Sequence, residues 1–285
     1  MLRNIPNEYQ FKKNYLDSNS NKLKALFLGN SHTVLGINPE YMSINSYNAA
    51  QVSQSLDYDY EVLKKYENQF DSLRYIIINI DFSNIFRRLE NDRNESWRVK
   101  YYNMYFGINT SYKPENNFEI LNGTMRNSAH KFWNHYYWKL PDFSCTDLGY
   151  CITYGQNPNQ NFIESGKTAA IRHRPYNIEN FNLNIESLIQ IISFCKIYNL
   201  KLFILSTPCR DEYKNLLDYK KIQLIDRTIN NIVKSNSEVY YIDVNNNINF
   251  TAADFFDADH LNITGSKKLT LKIDSILKQL IHNAQ

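Results

Sequence analysis

Hydrophobic residues occur along the chain in two alternating kinds of segment. Four short runs contain almost no internal polar residue: KALFLG (24–29), RYIIINI (74–80), KLFILS (201–206) and VYYIDV (239–244). Apolar runs of this length are typical of strands that are buried on both faces of a parallel sheet. A weaker run, INSYNA (44–49), predicts a fifth strand between the first two.

The segments between these runs carry apolar residues at spacings of three and four. This helical period occurs in residues 54–69, 180–199, 213–234 and 264–282. Helices that alternate with buried strands predict βαβ units and a twisted parallel sheet. The pattern therefore predicts an α/β fold, a three-layer α/β/α sandwich with about five parallel strands.

One long region interrupts the alternation. Residues 86–176 are crowded with aromatic and polar side chains, as in WRVKYYNMYFGINTSY (97–112) and HKFWNHYYWKLPDF (130–143). No Gly/Ser-rich or Pro-rich linker separates this region, so we expect one domain over 1–285, with 86–176 as an insertion folded over the carboxyl edge of the sheet. Its aromatic side chains would suit stacking on a sugar ring; the alternative is that they form a core of the insertion itself.

Composition and charge narrow the possible partners. The chain has 285 residues, 43% of them hydrophobic, and a formal net charge of +3 from 32 basic and 29 acidic residues. Nucleic-acid-binding proteins normally show a more basic balance, so we do not expect binding to nucleic acid. The sequence has no run of 18 apolar residues and no leader-like start, which predicts a soluble, cytoplasmic protein without membrane insertion.

The cysteines do not indicate a metal site or a disulfide framework. Cys145, Cys151, Cys195 and Cys209 lack the paired Cys-x-x-Cys spacing of zinc sites and the density of a disulfide scaffold, which predicts free thiols. The chain also lacks a Gly-rich phosphate loop and a His/Cys cluster with metal-ligand spacing. We therefore expect neither a bound metal nor a resident cofactor.

Two short segments carry residues suited to nucleophilic catalysis. The first predicted strand ends in GNSH (29–32), and DADH (257–260) lies shortly before the last helix. A serine hydroxyl needs a positioned base, and an aspartate three residues before a histidine can orient that imidazole. Since ligands bind where the parallel strands end, the fold can bring Ser31 to His260 and Asp257. Asp259 is the alternative carboxylate, but we expect it to point away from where Asp257 points.

Other polar residues at the same edge are candidates for substrate binding. His32 follows Ser31, and Thr207 ends the fourth predicted strand. Arg172, His173 and Arg174 lie where the insertion rejoins the sheet, and they could bind a carboxylate or phosphate group. The alternatives are a structural role for His32 at a helix start and a solvated basic loop for the other three.

Together these segments resemble the SGNH (GDSL-type) hydrolase superfamily. Gly29-Asn30-Ser31-His32 matches the family's Gly-Asp-Ser segment with Asn in place of Asp, and the segment from Asp257 to His260 matches its late Asp-x-x-His. The resemblance covers roughly 1–85 and 177–285. It implies a flavodoxin-like sandwich in which Ser31 is the nucleophile, His260 the base and Asp257 its partner.

The family's middle segments are altered here. Ser53 stands where the family has an oxyanion-hole glycine, and Ser83, in DFSN (81–84), stands where it has the oxyanion asparagine. The backbone N–H groups of Ser31 and Ser53 can still donate to an oxyanion, whereas the hydroxyl of Ser83 would have to replace an amide.

The GNSH and DADH segments are also similar to those of SGNH-like proteins of bacterial surface-polysaccharide acetylation. This similarity implies a glycan substrate and either ester hydrolysis or O-acetyl transfer, with acetyl-CoA as a possible donor. Because fold does not fix function, the altered middle segments are also consistent with a protein that is not an enzyme. That alternative is a catalytically decayed glycan-binding or scaffold protein of polysaccharide biosynthesis.

Overall fold

A five-stranded parallel sheet forms the centre of the protein. The computed structural model describes residues 4–110, 112–118, 125–140, 143–152, 161–174, 177–244 and 250–282. The strands are β1 (Ala25–Leu28), β2 (Ser46–Asn48), β3 (Tyr75–Asn79), β4 (Lys201–Ser206) and β5 (Val239–Asp243). They pair in the order β2-β1-β3-β4-β5, and every neighbouring pair is parallel. This is the flavodoxin-like strand order, so the predicted fold class and strand number are confirmed.

Helices connect and flank these strands. They are α1 (Glu8–Asn19), α2 (Ser31–Gly36), α3 (Leu56–Lys65), α4 (Val99–Tyr101), α5 (Met125–Phe132), α6 (Phe162–His173), α7 (Ile178–Ile197), α8 (Asp211–Lys214), α9 (Tyr219–Lys234) and α10 (Ile263–His282). π-Helical turns, Tyr102–Phe106 and Trp133–Tyr137, continue α4 and α5. Among the described helices, none combines the length and the apolar character that a membrane crossing requires.

The two faces of the sheet belong to different buried clusters. Leu26 and Leu28 of β1 lie in a cluster with apolar residues of α1, α3, α7 and α9. Ala25 and Phe27 lie in a second cluster with residues of α10. Successive side chains of a strand point to opposite faces, so the sheet lies between two helical layers, as the sequence predicts.

The aromatic residues of 86–176 divide into a buried and an exposed group. The buried group includes Phe86, Tyr101, Tyr102, Tyr105, Phe106 and Tyr150. It packs on the rest of the chain, since the ring of Tyr9 stacks on that of Tyr101 at 5.0 Å and the ring of Tyr58 lies 4.2 Å from that of Tyr102. Trp133 and Trp138 are 53% and 64% exposed. Tyr101, Tyr102, Tyr105 and Phe106 therefore belong to the main buried cluster and do not form a separate core of the insertion itself.

The end of the insertion lies against the carboxyl edge of the sheet. Gly166 of α6 packs on the backbone of α8, where an added Cβ would come within 2.5 Å of the carbonyl oxygen of Glu212. Ser165, also on α6, accepts a hydrogen bond of 3.2 Å from the backbone N–H of Ala258. Residues 111, 119–124, 141–142, 153–160 and 175–176 of the insertion lie outside the described residues.

The expectation of free thiols is wrong for two of the four cysteines. Cys145 and Cys151 form a disulfide, while Cys195 and Cys209 are not disulfide-bonded. An antiparallel turn brings the pair together, with Gly149 at φ +85° in the left-handed region. Disulfides persist mainly in oxidising compartments, so cysteine usage no longer supports a cytoplasmic location.

Candidate active site

A tight turn after β1 presents Ser31 at the carboxyl edge of the sheet. Gly29 has φ +120°, and a Cβ there would lie 2.0 Å from Oδ1 of Asn79, so no larger residue fits. Asn30 caps α2, because its side chain accepts the backbone N–H of His32 at 3.0 Å. Ser31 is consequently the first residue of α2.

Ser31, His260 and Asp257 form a continuous chain of hydrogen bonds. Oγ of Ser31 lies 3.0 Å from Nε2 of His260, and Nδ1 of His260 lies 3.1 Å from both carboxylate oxygens of Asp257. The carboxylate fixes the proton on Nδ1 and leaves Nε2 to accept the serine proton. These are the contacts that the sequence predicts.

Asp259 also faces His260, contrary to the expectation that it points away. Its Oδ1 lies 3.4 Å from Nδ1 of His260, and its Oδ2 accepts a hydrogen bond of 2.7 Å from Arg172. The reason is a turn in which Oδ1 of Asp257 accepts the backbone N–H groups of residues 259 and 260, at 3.0 and 2.7 Å. The chain curls around the imidazole, so both carboxylates reach it.

The two carboxylates control the charge of the imidazole. Burial alone would lower the pKa of His260, but Asp259 and Asp257 outweigh it and raise the pKa to about 10. The pKa of Asp259 lies well below its ordinary value, because His260, His32 and Arg172 offset its burial. The site therefore stabilises the imidazolium ion, and Nε2 can accept the serine proton only after the imidazolium has released a proton.

His32 and Thr207 belong to a buried network behind Ser31. Nδ1 of His32 lies 2.8 Å from Oδ2 of Asp81 and 2.9 Å from Oγ1 of Thr207, and Thr207 donates to the same carboxylate at 2.7 Å. Both residues line a second, largely apolar cavity of about 580 Å³. They are absent from the described lining of the cleft that contains Ser31.

A cleft of about 980 Å³, lined by both polar and apolar residues, surrounds Ser31. His260, Asp257, Ser53, Arg172 and His173 are among its lining residues, but Arg174 is not and is exposed. Burial lowers the pKa of His173, whose Nδ1 lies 2.8 Å from the Tyr213 hydroxyl. The cleft is thus built partly by residues of α6, as the sequence predicts for two of its three basic candidates.

Each arginine in this cleft is paired with a carboxylate. The pairs are Arg87–Asp92, Arg88–Asp57 (2.8 Å), Arg98–Glu95 (2.5 Å) and Arg172–Asp259 (2.7 Å). Among the described lining residues there is no tyrosine, tryptophan or phenylalanine. A ligand would therefore meet hydrogen-bonding groups rather than aromatic faces.

The two altered segments behave differently. Ser53 lines the cleft with φ +60°, the left-handed conformation that glycine adopts most easily. Ser83 donates its hydroxyl proton to Asp81 and accepts a hydrogen bond of 2.7 Å from Nδ2 of Asn30. Since a serine hydroxyl has one proton, that of Ser83 is not available to an oxyanion in this arrangement.

A buried carboxylate, which we did not single out from the sequence, holds the turn at Gly29. Asp59 on α3 accepts the backbone N–H of Gly29 at 2.8 Å and the side-chain amide of Gln54, and Gln54 accepts the Tyr102 hydroxyl at 2.6 Å. Burial raises the pKa of Asp59 to about 7. An acidic residue on the buried face of a predicted helix was the available signal.

Asn79 is a second residue that we did not single out. It lies at the end of β3, where its amide donates to Oδ1 of Asn30 at 3.0 Å and its Oδ1 accepts the backbone N–H of Asn30 at 3.0 Å. A polar residue at the end of the apolar run RYIIINI was its only sequence signal. Asn79 therefore links the end of β3 to the turn that carries Ser31.

Comparison with known proteins gives a distant likeness of fold. Neither a family model nor a curated protein sequence matches the chain. A provisionally named acylhydrolase from Bacteroides fragilis is 11% identical with a TM-score of 0.47, over 99% of this chain and 97% of that one. A GDSL-like lipase from Bacteroides thetaiotaomicron is 13% identical with a TM-score of 0.44, over 97% of this chain and 100% of that one. A provisionally named platelet activating factor from Streptococcus pneumonia is 14% identical with a TM-score of 0.47, over 95% of this chain and 91% of that one.

Proposed function

We propose that the protein is a serine-dependent enzyme of acyl-ester chemistry on a carbohydrate, either O-acetyl transfer to a glycan or ester hydrolysis from an acetylated glycan. The observation that carries this proposal is the hydrogen-bonded chain from Ser31 through His260 to Asp257. A nucleophile, a base and an orienting carboxylate at these distances are the arrangement that acyl transfer requires.

In the proposed reaction, Oγ of Ser31 attacks the ester carbonyl while its proton moves to Nε2 of His260. Asp257 and Asp259 stabilise the imidazolium, and the backbone N–H groups of Ser31 and Ser53 are the proposed donors to the oxyanion. His260 then returns the proton to the departing alcohol, which leaves an acyl group on Ser31. Water completes hydrolysis, and a sugar hydroxyl completes transfer.

The chemistry of the cleft supports a carbohydrate substrate. Its arginines are already paired with carboxylates, so they offer directed hydrogen bonds without a large unbalanced charge. Such a lining suits a neutral molecule with many hydroxyl groups. The aromatic stacking expected from the sequence finds no support in the described lining of the cleft.

The decayed-enzyme alternative rests on Ser83. Its hydroxyl proton is given to Asp81, so the position that replaces the oxyanion asparagine supplies no donor here. Removal of one oxyanion donor costs about 2.7–4 kcal/mol in comparable sites. The alternative predicts glycan binding without turnover.

A paired assay tests the proposal and separates its outcomes. Wild type, Ser31→Ala and the matched control Ser193→Ala, an exposed serine on α7, are given acetylated sugars, or acetyl-CoA with and without an oligosaccharide acceptor. Acetate release indicates an esterase, and an acetylated acceptor indicates a transferase. Both activities should be lost in Ser31→Ala and retained in Ser193→Ala. Equal turnover in Ser31→Ala would exclude the proposed nucleophile, and sugar binding without any turnover would favour the alternative.

A further inference from the structure

The buried side chains behind Ser31 bring three metal-ligating residues together. His32, Asp259 and His260 each offer one ligand atom, these atoms lie within 4.8 Å of one another, and all three residues are buried. The rings of the two histidines lie 5.1 Å apart in an edge-to-face arrangement. Two imidazoles and one carboxylate are a donor set that zinc and related divalent ions prefer.

The hydrogen bonds of His32 determine which of its nitrogens is available. Thr207 donates its hydroxyl proton to Asp81, so it cannot also donate to His32. Nδ1 of His32 must therefore carry the proton that faces Asp81 at 2.8 Å. A histidine whose first nitrogen donates to a carboxylate is oriented to bind a metal through its second nitrogen.

That second nitrogen, Nε2 of His32, is buried. His32 is 6% exposed, and its Nε2 has no hydrogen-bond partner among the residues that the structure describes. Its nearest charged neighbour is Oδ2 of Asp259 at 3.7 Å, which is beyond hydrogen-bond distance. The nitrogen and the carboxylate thus face each other across a gap that a cation between them would fill.

The charges around this gap favour a divalent cation. Asp81, Asp257 and Asp259 surround the two histidines, and Arg172 is the guanidinium paired with Asp259. Binding of the ion requires both imidazoles to be neutral, and the three carboxylates and one guanidinium then leave two negative charges for the ion to balance. The side chain of Arg172 is 43% exposed, so it can move toward solvent when a cation approaches Asp259.

We propose that His32, Asp259 and His260 form an inhibitory binding site for a divalent transition-metal ion, with zinc as the best fit. The inhibition, but not the binding, rests on the proposed function. The ion would occupy Nδ1 of His260, the nitrogen that faces Asp259, and the Nδ1 proton would leave to solvent. A neutral His260 then carries its remaining proton on Nε2, where it can no longer accept the proton of Ser31. Metal binding and base catalysis are therefore mutually exclusive.

Binding is measured on protein treated with a chelator, without reference to activity. Titration with Co²⁺ should give the visible absorption of a four-coordinate nitrogen and oxygen site, and calorimetry with Zn²⁺ should give one equivalent. Ser31→Ala should bind equally well. His32→Ala and the isosteric Asp259→Asn should each weaken binding by about 100-fold or more, since even an orienting partner of a ligand is worth about 10–100-fold. His130→Ala, which removes an exposed histidine of α5, is the matched control and should bind as wild type.

Inhibition is measured on the ester turnover of the same proteins. Zn²⁺ should abolish the wild-type rate at one bound equivalent, and a chelator should restore it. The proposal is overturned if wild type binds no ion, if folded His32→Ala and Asp259→Asn bind as tightly as wild type, or if turnover persists with the ion bound. If wild type binds Co²⁺ but shows no ester turnover, and if His32→Ala and Asp259→Asn weaken the binding, the metal site is supported and the proposed function is contradicted.

Discussion

The two halves of the candidate site are held in place by different means. Ser31 lies on a turn fixed from below by Gly29, Asn79 and Asp59, all buried within the sheet and α3. His260 lies on a loop that is held by the side chains of Asp257 and Asp259. The nucleophile is thus placed by buried packing and hydrogen bonds, whereas the base is placed by its contacts with two carboxylates. Mutations in the first half should mainly affect folding, and mutations in the second half should mainly affect turnover.

The largest expected effect is on turnover, in the half held by charge. Asp257→Asn should lower kcat/KM for an acyl ester by up to about 10⁴-fold, which corresponds to about 5.5 kcal/mol, because the imidazolium loses its bonded carboxylate. Asp259→Asn should cost less, because its oxygen is farther from Nδ1, at 3.4 Å against 3.1 Å. Steady-state kinetics on both variants measure this order. A greater loss in Asp259→Asn would show that Asp259 is the principal partner.

The next effect is on stability, in the half held by packing. Gly29→Ala should destabilise the fold by about 3–5 kcal/mol, since its Cβ would overlap Asn79 and its backbone is at φ +120°. Gly36→Ala is the matched control on α2, because there a Cβ meets its nearest side-chain atom at 3.7 Å. That change should alter stability by less than about 1 kcal/mol. Urea unfolding of both variants measures the difference, and equal midpoints would contradict the packing account.

The packed half should also carry its own pH dependence. The pKa of Asp59 is about 7 in the folded protein and near 3.8 in an unfolded chain. Between these values the folded state holds a proton that the unfolded state has released, so stability falls as the pH rises from about 4 to about 7, by up to a few kcal/mol. Asp59→Asn removes this titration. The difference in unfolding free energy between wild type and Asp59→Asn should change between pH 4 and pH 7 and stay constant above pH 7. A difference that does not vary with pH would contradict the raised pKa of Asp59.

The smallest effect concerns the disulfide beside the packed half. Residue 48 at the end of β2 and residue 34 of α2 share backbone hydrogen bonds with the turn that Cys145 and Cys151 close. The disulfide closes a loop with a sequence separation of 6, so its loss should cost about 2 kcal/mol by the chain-entropy model. Unfolding of Cys145→Ser/Cys151→Ser against wild type, under oxidising conditions, measures this. Cys209→Ser, a change at a thiol outside the disulfide, should shift the midpoint less.

The sheet and the serine–histidine contact could be predicted because both follow from local pattern and topology. Apolar runs indicated four of the five strands, and the weaker run INSYNA indicated β2. Parallel strands direct the segments that follow them to one edge. This rule placed Ser31 near His260 without any knowledge of the intervening chain.

What the sequence did not reveal depends on contacts that no local pattern encodes. Helix α1 carries few apolar residues and buries Lys12, whose ammonium donates to the carbonyl oxygen of Ala50. The orientation of Asp259 depends on the turn closed by Asp257. The disulfide depends on a turn that brings together two cysteines whose spacing fits no common motif. In each case a tertiary contact outweighs the local sequence.

The paired arginines of the cleft also bear on how fast a ligand arrives. Opposite charges 2.5–2.8 Å apart, as in the pairs of Arg88, Arg98 and Arg172, largely cancel one another beyond the cleft. Long-range attraction that accelerates association requires an unbalanced field, and it weakens as ions are added. The association rate constant of a neutral ligand should therefore be nearly independent of ionic strength.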